Sequence, residues 1–401
     1  MKILQLCHKV PYPPKDGGCI AINNLTQGLI NQGCEVKVLA LNTKKHFIDI
    51  DKLPIEYRSK TNIEAVFIDT EIKITSAIAN LFSNKSYNIE RFYSKVFADK
   101  LIEVLKSEIF DIVQLESLYV SMYVDIIRKY SKAKIIFRAH NIEHKIWEDN
   151  AQLAANPIKK AYINLLAKRL KKYELNCLNT FDSIITITKE DEMFFKNIGF
   201  PKTILTIPFG IDLKNNRENN LLATDFYSVF HIGAMDWQPN IDGINWFLNA
   251  VWKMVLVKHS QLKLYLAGRN MSNELKQRKI SNVIVVGEVE SATEFIQSKG
   301  LMIVPLLSGG GMRVKIIEGM ALGKTIISTK IGAEGIDYEN NKNILIADTA
   351  DEFVEAISKC LNDKSFAESI GNDARLLVET KYDNQNICKK LFDFYQTIIK
   401  E

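Results

Sequence analysis

The sequence predicts an α/β protein made of two Rossmann-like, doubly wound domains. Short apolar runs rich in Ile and Val recur in two series, one before and one after residue 225. Helical patterns lie between many of these runs, as they do where crossover helices join parallel strands. The 401 residues are enough for two to three domains of ordinary size, so each domain can bury its own core.

The composition excludes several other classes of protein. Hydrophobic residues make up 47% of the chain and charged residues 25%, which is usual for a globular protein and unlike a coiled coil or a disordered chain. The net charge of +5 is too small to indicate a nucleic-acid partner. The six cysteines form no C-x-x-C pair. We therefore expect reduced thiols and a cytoplasmic protein with no nucleic acid bound.

The first series predicts a parallel sheet. Its apolar runs are residues 2–7, 35–41, 64–70, 111–116, 134–140, 183–188 and 203–210. Helical patterns cover residues 21–32, where Gly33 follows as a C-terminal cap, and residues 156–178. We expect this N-terminal domain to span residues 1–211.

The second series predicts a second domain of the same kind. Its runs are residues 228–234, 263–268, 283–289, 300–306, 324–330 and 343–348, with helical patterns at 241–257, 315–322 and 351–361. The Asn-rich stretch 212–224 reads as a linker. We assign residues 212–380 to this domain and residues 381–401 to a helix that packs back on the first. Because open parallel sheets present loops at their carboxyl edges, we expect the two domains to face each other across a deep cleft with one ligand site. The alternative is two domains with separate ligands or with none.

The most informative segment is PLLSGGGMRVKIIEGMALGK, which begins at Pro305. A strand ends before three glycines, and a helix begins near the residue that follows them. The backbone N–H groups expected to face a ligand here are those of Gly309, Gly310, Gly311 and Met312.

Three charged side chains follow in the same segment. Arg313 and Lys315 lie at the start of the helix, where they favour a phosphate or diphosphate. Glu318 can accept two hydrogen bonds from a vicinal diol such as ribose. The alternative is an ordinary glycine loop before a solvated basic helix start.

Two further loops contain glycines suited to close approach of a ligand. Gly17 and Gly18 end PYPPKDGG between the first strand and the first helix, although a simple connecting turn is an equal alternative. Gly233 begins GAMDWQPN after a strand of the second domain. Trp237 in that loop suits either stacking on a base or packing.

Two histidines occur in RAHNIEH at the end of a predicted strand. His140 and His144 are four residues apart, but H-E-x-x-H is absent and no third metal ligand is nearby. Ligand contact or proton chemistry by His140 is the preferred interpretation, with a structural role as the alternative. We expect no metal.

A basic stretch accompanies the helical pattern of residues 156–178. Its cations are Lys159, Lys160, Lys168, Arg169, Lys171 and Lys172. Such a helix can make peripheral contact with an anionic membrane at its inner face, or it can be a core-packed helix with a solvated basic face.

These motifs resemble the retaining glycosyltransferases of the GT-B fold, in the family called glycosyl transferases group 1, or family 4. The resemblance rests on HIGAMDWQPN, LAGRNM, GGGMRVKIIEGMALGK and ISTKIGAEGI in the second domain, and on PPKDGG and RAHNIEHKIW in the first. It covers nearly the whole chain. It implies the two-domain GT-B fold, with the N-terminal domain on the acceptor side and the C-terminal domain binding the nucleotide sugar. The implied reaction transfers a sugar from a nucleotide-sugar donor to a glycan or lipid-linked acceptor, in bacterial surface polysaccharide or glycolipid synthesis.

The resemblance also implies roles for particular residues. Glu318 would hold the donor ribose, Arg313 and Lys315 would neutralise the leaving diphosphate, and His140 would contact the donor sugar. Gly17 and Gly18 would lie against the donor phosphates or the acceptor. No metal and no cofactor are implied, because the nucleotide sugar is a substrate.

The sequence departs from the family at two places. Family members commonly carry a Glu eight residues before the ribose Glu, where this chain has Gly310. They also carry Gly-Arg and a Lys after the first strand of the second domain, where this chain has Gly233-Ala-Met-Asp236. We therefore expect the phosphate clamp to move to Arg313 and Lys315, with Arg269 a weaker candidate. A nucleotide-sugar epimerase and a non-catalytic partner subunit of the same fold stay open.

Overall fold

The computed structural model describes residues 1–14, 16–71, 80–213 and 224–401. The chain divides into two compact units. Unit 1 comprises Met1–Pro208 with Gln385–Glu401, and unit 2 comprises Phe209–Asn384. The linker predicted over 212–224 lies largely outside the described residues.

Within the described residues, unit 1 contains a sheet of seven parallel strands in the order β3-β2-β1-β4-β5-β6-β7. The strands are β1 (Lys2–Cys7), β2 (Glu35–Thr43), β3 (Glu64–Ile68), β4 (Ile112–Glu116), β5 (Lys134–Ala139), β6 (Ser183–Thr186) and β7 (Ile204–Thr206).

Helices connect these strands. They are α1 (Gly17–Asn31), α2 (Ile55–Thr61), α3 (Tyr87–Glu90), α4 (Lys95–Ser107), α5 (Val124–Tyr130), α6 (Glu143–Leu153), α7 (Pro157–Cys177) and α8 (Lys189–Asn197), with short 3₁₀ turns at Lys44–His46, Ile50–Lys52, Leu118–Tyr123 and Leu178–Thr180. The chain therefore alternates strand and helix as the apolar pattern predicts.

The sheet of unit 1 is buried on both faces, which explains why its strands show little polar alternation. Leu4 and Leu6 of β1 belong to one apolar cluster, whereas Ile3 and Cys7 belong to the other. Successive strand residues point to opposite faces, so each strand supplies both clusters. The strand order reverses between β1 and β4, and crevices for ligands form at such a point outside the carboxyl ends of the strands.

Unit 2 repeats this architecture with a sheet of six parallel strands, counted within the described residues, in the order β10-β9-β8-β11-β12-β13. The strands are β8 (Asp225–Ile232), β9 (Lys263–Ala267), β10 (Val283–Gly287), β11 (Lys299–Val304), β12 (Ile326–Ser328) and β13 (Leu345–Ile346). The order reverses between β8 and β11, so the loops after these two strands flank the crevice.

The helices of unit 2 cover its sheet. They are α9 (Gln238–Trp246), α10 (Trp252–Lys258), α11 (Asn273–Gln277), α12 (Ala292–Gln297), α13 (Val314–Ala321), α14 (Ala350–Asn362) and α15 (Lys364–Lys381), with a π-helical turn at Phe247–Val251 that joins α9 to α10. The continuous helix predicted over 241–257 is therefore interrupted by this turn.

The last helix, α16 (Asn384–Lys400), contributes its apolar face to the core of unit 1. Its buried side chains belong to the same cluster as Ile3 and Leu25; they are Ile387, Cys388, Leu391, Tyr395 and Ile398. The boundaries between the units fall at Pro208 and Asn384, a few residues from the predicted 211 and 380. None of the helices in the described ranges is both long and apolar enough to cross a bilayer.

Candidate active site

The glycine-rich loop after β11 presents unused backbone donors. The N–H groups of Gly309, Gly310, Gly311 and Met312 have no hydrogen-bond acceptor among the described residues. Gly309 has a φ of +107° and packs against the Trp237 ring, so a larger residue would be strained there. Helix α13 begins at Val314 rather than near Met312, with Arg313 as its N-cap.

The Arg313 side chain holds this loop in place. Its Nη1 donates to the carbonyl oxygens of Gly310 and Gly311, and its guanidinium lies 5.2 Å from the centroid of the Trp237 ring. The residue is 6% exposed, yet Nε and Nη2 have no hydrogen-bond partner in the part of the chain that the structure describes. Buried polar atoms are normally paired, so these two donors indicate room for an acceptor such as a phosphate oxygen.

Lys315 is held by side chains of the β8 strand and the following helix. Its Nζ donates to Asn240 Oδ1 at 2.8 Å and lies 3.3 Å from His231 Nε2. Asn240 is itself fixed, because its Nδ2 donates to the Ala234 carbonyl at 2.8 Å. An ammonium has three protons, so one of them stays available for a ligand.

The tautomer of His231 follows from its neighbours. His231 Nδ1 lies 3.0 Å from the Ile303 carbonyl oxygen, which accepts, so Nδ1 bears the proton and Nε2 accepts from Lys315. Burial and the charge of Lys315 hold the pKa of His231 well below its usual value. The buried ring is therefore a neutral support for the lysine.

Burial and the nearby Arg313 charge lower the pKa of Lys315 to about 7, against the attraction of Glu318. Glu318 lies on the same helix, and burial raises its pKa while Lys315 opposes that shift. No side chain or backbone group in the described part of the chain hydrogen-bonds the Glu318 carboxylate. The carboxylate is thus free to accept hydrogen bonds from a ligand.

Gly233 is needed for this arrangement. A Cβ at this position would lie 2.8 Å from Lys315 Nζ and 2.9 Å from Asn240 Nδ2. The glycine therefore lets the lysine reach the end of β8. The side chain of Arg269, the weaker clamp candidate, makes no contact recorded among the described residues, while its carbonyl accepts from the Met235 N–H.

In unit 1, His140 directly follows β5 and is held by an acid that the sequence reasoning missed. His140 Nε2 lies 2.7 Å from Glu116 Oε2, and Arg138 Nη1 lies 3.1 Å from the same oxygen. Glu116 is fully buried at the end of β4. Although burial raises the pKa of Glu116, Arg138 and His140 lower it to about 2, so this carboxylate is ionised.

The half-buried His140 ring is polarised by this carboxylate. Burial is the main cause of its lowered pKa, which favours the neutral ring, and the Glu116 oxygen must accept from a protonated Nε2. The remaining Nδ1 is then a hydrogen-bond acceptor. A Glu that closes an apolar strand is the one sequence signal that could have revealed Glu116.

His8 is a second histidine at this edge that the sequence reasoning did not select. Its Nδ1 lies 2.8 Å from the Glu116 carbonyl oxygen, so Nδ1 donates and Nε2 is left as an acceptor. Burial and Lys9 lower the pKa of His8 to about 3. The rings of His8 and His140 lie 6.5 Å apart, centroid to centroid.

Gly17 and Gly18 are the first two residues of α1, so the helix begins four residues before the predicted start at 21. Asp16 is the N-cap and accepts from the Cys19 N–H. It also pairs with Lys9 at 2.7 Å, and a Cβ on Gly18 would lie 3.1 Å from Lys9 Nζ. Gly18 therefore lets Lys9 lie against the helix N-terminus.

His144 does not join His140. His144 lies in α6, where its Nδ1 is 2.7 Å from Glu174 Oε2 of α7. Glu174 also accepts from the backbone N–H groups of Glu143 and His144, so it caps α6. This pair has a structural role, and the described residues contain no cluster of three or more His, Cys, Asp or Glu suited to a metal.

Comparison with known proteins identifies the family of the chain. Residues 16–215 match the family model described as Glycosyltransferase Family 4, and residues 227–363 match the model described as Glycosyl transferases group 1. An uncharacterised 44.6 kDa protein in the cps region of Klebsiella pneumoniae is 24% identical over 98% of this chain and 99% of its own. The capsular polysaccharide biosynthesis glycosyltransferase CapM of Staphylococcus aureus is 24% identical over 54% of this chain and 58% of its own.

Solved structures share the fold. Sucrose-phosphate synthase from Thermosynechococcus elongatus superimposes with a TM-score of 0.72 at 16% identity and covers 100% of both chains. Anabaena HepE in complex with UDP gives a TM-score of 0.65 at 14% identity, over 99% of this chain and 100% of its own. The two family models together cover most of both units, and both sheets have the strand order of the fold. This chain is a glycosyltransferase of the GT-B fold and belongs to the glycosyl transferases of group 1, or family 4.

Proposed function

We propose that the protein is a retaining hexosyltransferase that moves a sugar from a nucleoside-diphosphate sugar to an acceptor hydroxyl without a metal ion. The observation that carries this proposal is the cluster in unit 2 of Arg313, Lys315 and Glu318 around the glycine loop. It combines unpartnered N–H donors, two cations and a free carboxylate at the reversal of the strand order. A diphosphate joined to a ribose satisfies these groups together.

The leaving diphosphate gains negative charge in the transition state. Lys315, the free donors of Arg313 and the loop N–H groups are fixed before the reaction, so they stabilise that charge without reorganising. Glu318 accepts from the ribose hydroxyls and sets the position of the nucleoside. These groups do the work that a metal ion does in other enzymes, and no cofactor is needed.

His140 provides the contact of unit 1 with the donor sugar. Its neutral ring offers Nδ1 as an acceptor for a sugar hydroxyl, while Glu116 holds the opposite nitrogen. Gly310 occupies the position where relatives carry a Glu, so the backbone N–H groups of the loop take over a sugar contact.

The comparisons support the substrate class. HepE was crystallised with UDP, and CapM is named for capsular polysaccharide biosynthesis. We propose by analogy that this chain acts in bacterial surface polysaccharide or glycolipid synthesis on a glycan or lipid-linked acceptor, in the cytoplasm.

Peripheral contact with an anionic membrane is part of this proposal. The side chains of Lys159, Lys160, Lys168, Lys171 and Lys172 on α7 are exposed, and Ile158 is 82% exposed beside the first of them. In contrast, Leu166 and Leu170 pack into unit 1, so the basic face points away from the core. Binding to vesicles with anionic lipid, and none to neutral vesicles, is the expected result; equal binding to both would contradict it.

A titration of nucleotides tests the proposed reaction. UDP, GDP, ADP and their sugars are added to the protein in a calorimeter at low salt. We expect one base to bind in preference to the others, and the sugar nucleotide with that base to bind as well. Failure of every nucleotide to bind a folded protein would contradict the proposal and favour a non-catalytic partner subunit.

The same donor separates transfer from epimerisation. The bound sugar nucleotide is incubated with the protein alone and followed by ³¹P and ¹H NMR. A transferase leaves the sugar configuration of the donor unchanged without an acceptor. Conversion to an epimer would contradict the transferase proposal in favour of the epimerase.

A further inference from the structure

Unit 1 contains a cavity of about 390 Å³ outside the donor-binding cluster. It lies at the carboxyl edge of three neighbouring strands, and residues that follow each of them line it. His8 and Lys9 follow β1, Thr43 ends β2 with Lys45 just beyond, and Glu71 follows β3. Arg91, which follows the helix α3, completes this part of the lining. This is the side of the sheet where α/β domains bind ligands.

The lining contains polar groups that the protein itself does not satisfy. The Arg91 side chain makes no hydrogen bond or ion pair among the described residues, and its Nε is buried. Thr43 is 4% exposed, and no described residue hydrogen-bonds its Oγ1. Buried groups of this kind are rare in folded proteins, so two of them on one cavity indicate a ligand.

The cavity carries an excess of positive charge. Lys45 has no ion-pair partner within the described residues, and neither has Arg91. The acid on the lining, Glu71, already accepts from Lys44 at 2.9 Å, and Lys9 is paired with Asp16. Two cations therefore remain uncompensated at one site, which favours an anion.

His8 connects this cavity to the sugar-contacting histidine. It lines the cavity, its Nε2 is an unprotonated acceptor, and its ring lies 6.5 Å from that of His140. A ligand hydroxyl that donates a hydrogen bond to His8 Nε2 would thus lie near His140, the residue that we propose contacts the donor sugar.

We propose that this cavity binds the acceptor, and that the acceptor carries a phosphate or carboxylate group held by Arg91 and Lys45. Its reacting hydroxyl donates to His8 Nε2. This inference rests on the proposed function, because it names the substrate class of the same reaction.

The test compares three probes that differ in charge: octyl glucoside, octyl glucuronide and octyl glucoside 6-phosphate. Each is titrated below its micelle concentration into wild-type protein at low salt. At least one anionic probe should bind about tenfold or more tightly than the neutral one, because charge-assisted hydrogen bonds are the strong ones. Preference for the phosphate or for the uronate identifies which anion the site takes.

Matched variants assign the effect to the cavity. Arg91→Gln and Lys45→Gln should each weaken the anionic probe about tenfold and leave the neutral probe unchanged, whereas Arg91→Lys should retain part of the preference. Lys52→Gln removes an equal charge from a side chain that is 83% exposed in the same unit, and it should change nothing.

Three results would overturn the inference: no binding of any probe, equal binding of neutral and anionic probes, or anion binding that the cavity variants do not affect. The nucleotide affinity of each protein is measured alongside. Intact nucleotide binding with no anion preference rejects the acceptor assignment alone, whereas loss of nucleotide binding in wild type rejects the proposed function.

Discussion

Lys315 is the residue whose charge state we expect to matter most for the proposed binding of a nucleoside diphosphate. Two of its three protons are used by Asn240 and His231, and its pKa is lowered to about 7 by burial and by Arg313, against the pull of Glu318. A bound diphosphate favours the protonated form. Protonation is complete well below pH 7 and is lost as the pH rises through 7, so the affinity must fall over that range.

We therefore expect the affinity for the preferred nucleoside diphosphate to fall by up to about tenfold per pH unit above pH 7, since binding then takes up a proton. In the variant Lys315→Arg the side chain stays protonated over this pH range. Its pH profile therefore shows how much of the change in affinity comes from titration of the ligand. Calorimetry between pH 6 and 9 measures both proteins. Identical pH profiles for the two proteins would contradict the assignment.

Glu116 is buried together with Arg138, and its carboxylate hydrogen-bonds His140. Removing one charge of a buried pair leaves the other without compensation. Glu116→Gln should therefore lower the free energy of unfolding by about 3 kcal/mol. Glu35→Gln, on an acid that is 78% exposed, should cost less than about 0.5 kcal/mol. Denaturant unfolding measures both, and equal small losses would mean that the buried pair is dispensable.

At the scale of elements, the C-terminal helix α16 is part of the core of unit 1. Leu391 is fully buried in the cluster that also holds Ile3 and Leu25. Leu391→Ala should cost about 2–5 kcal/mol of unfolding free energy, because a cavity remains where the side chain was removed. Lys389→Ala on the exposed side of the same helix is the control. If both variants unfold like the wild type, the helix does not stabilise unit 1.

The strands were easier to predict than the helix ends. Strands buried on both faces read as continuous apolar runs, and every predicted run contains a strand, although β7 is limited to Ile204–Thr206 within a run of eight residues. The apolar pattern misses the start of α1 because two glycines, and not apolar residues, begin that helix after the N-cap Asp16. The apolar periodicity of the sequence does not indicate the π-helical turn at Phe247–Val251.

The predictable part of the site is the part that is local in sequence. Gly309, Arg313 and Glu318 occur in one segment, so their meeting follows from a strand, a loop and a helix. The support of Lys315 by His231 joins residues 84 positions apart, and that of His140 by Glu116 joins residues 24 apart. Such pairs form only when particular strands are neighbours in the sheet. The order of parallel strands cannot be predicted from any single segment of the sequence.

At the scale of the whole molecule, one fold appears twice, and each copy has its own polar site at the reversal of its strand order. Unit 2 gathers donors and cations suited to a diphosphate. In unit 1, two neutral histidines contact Glu116, and one of them also lines a basic cavity. This division of labour suits a transferase, which must bind a donor and an acceptor with different chemistry.

The central claim is that Glu318 binds the ribose of a nucleotide. The direct measurement is the affinity of wild type, Glu318→Gln and Glu355→Gln for the preferred nucleoside diphosphate, by calorimetry at pH 6.5. Glu355 is an exposed acid on α14 of the same unit, so its variant controls for the change in charge. Glu318→Gln should lose about 1.5–3 kcal/mol of binding free energy while Glu355→Gln binds normally. Equal affinity of all three proteins would contradict the account.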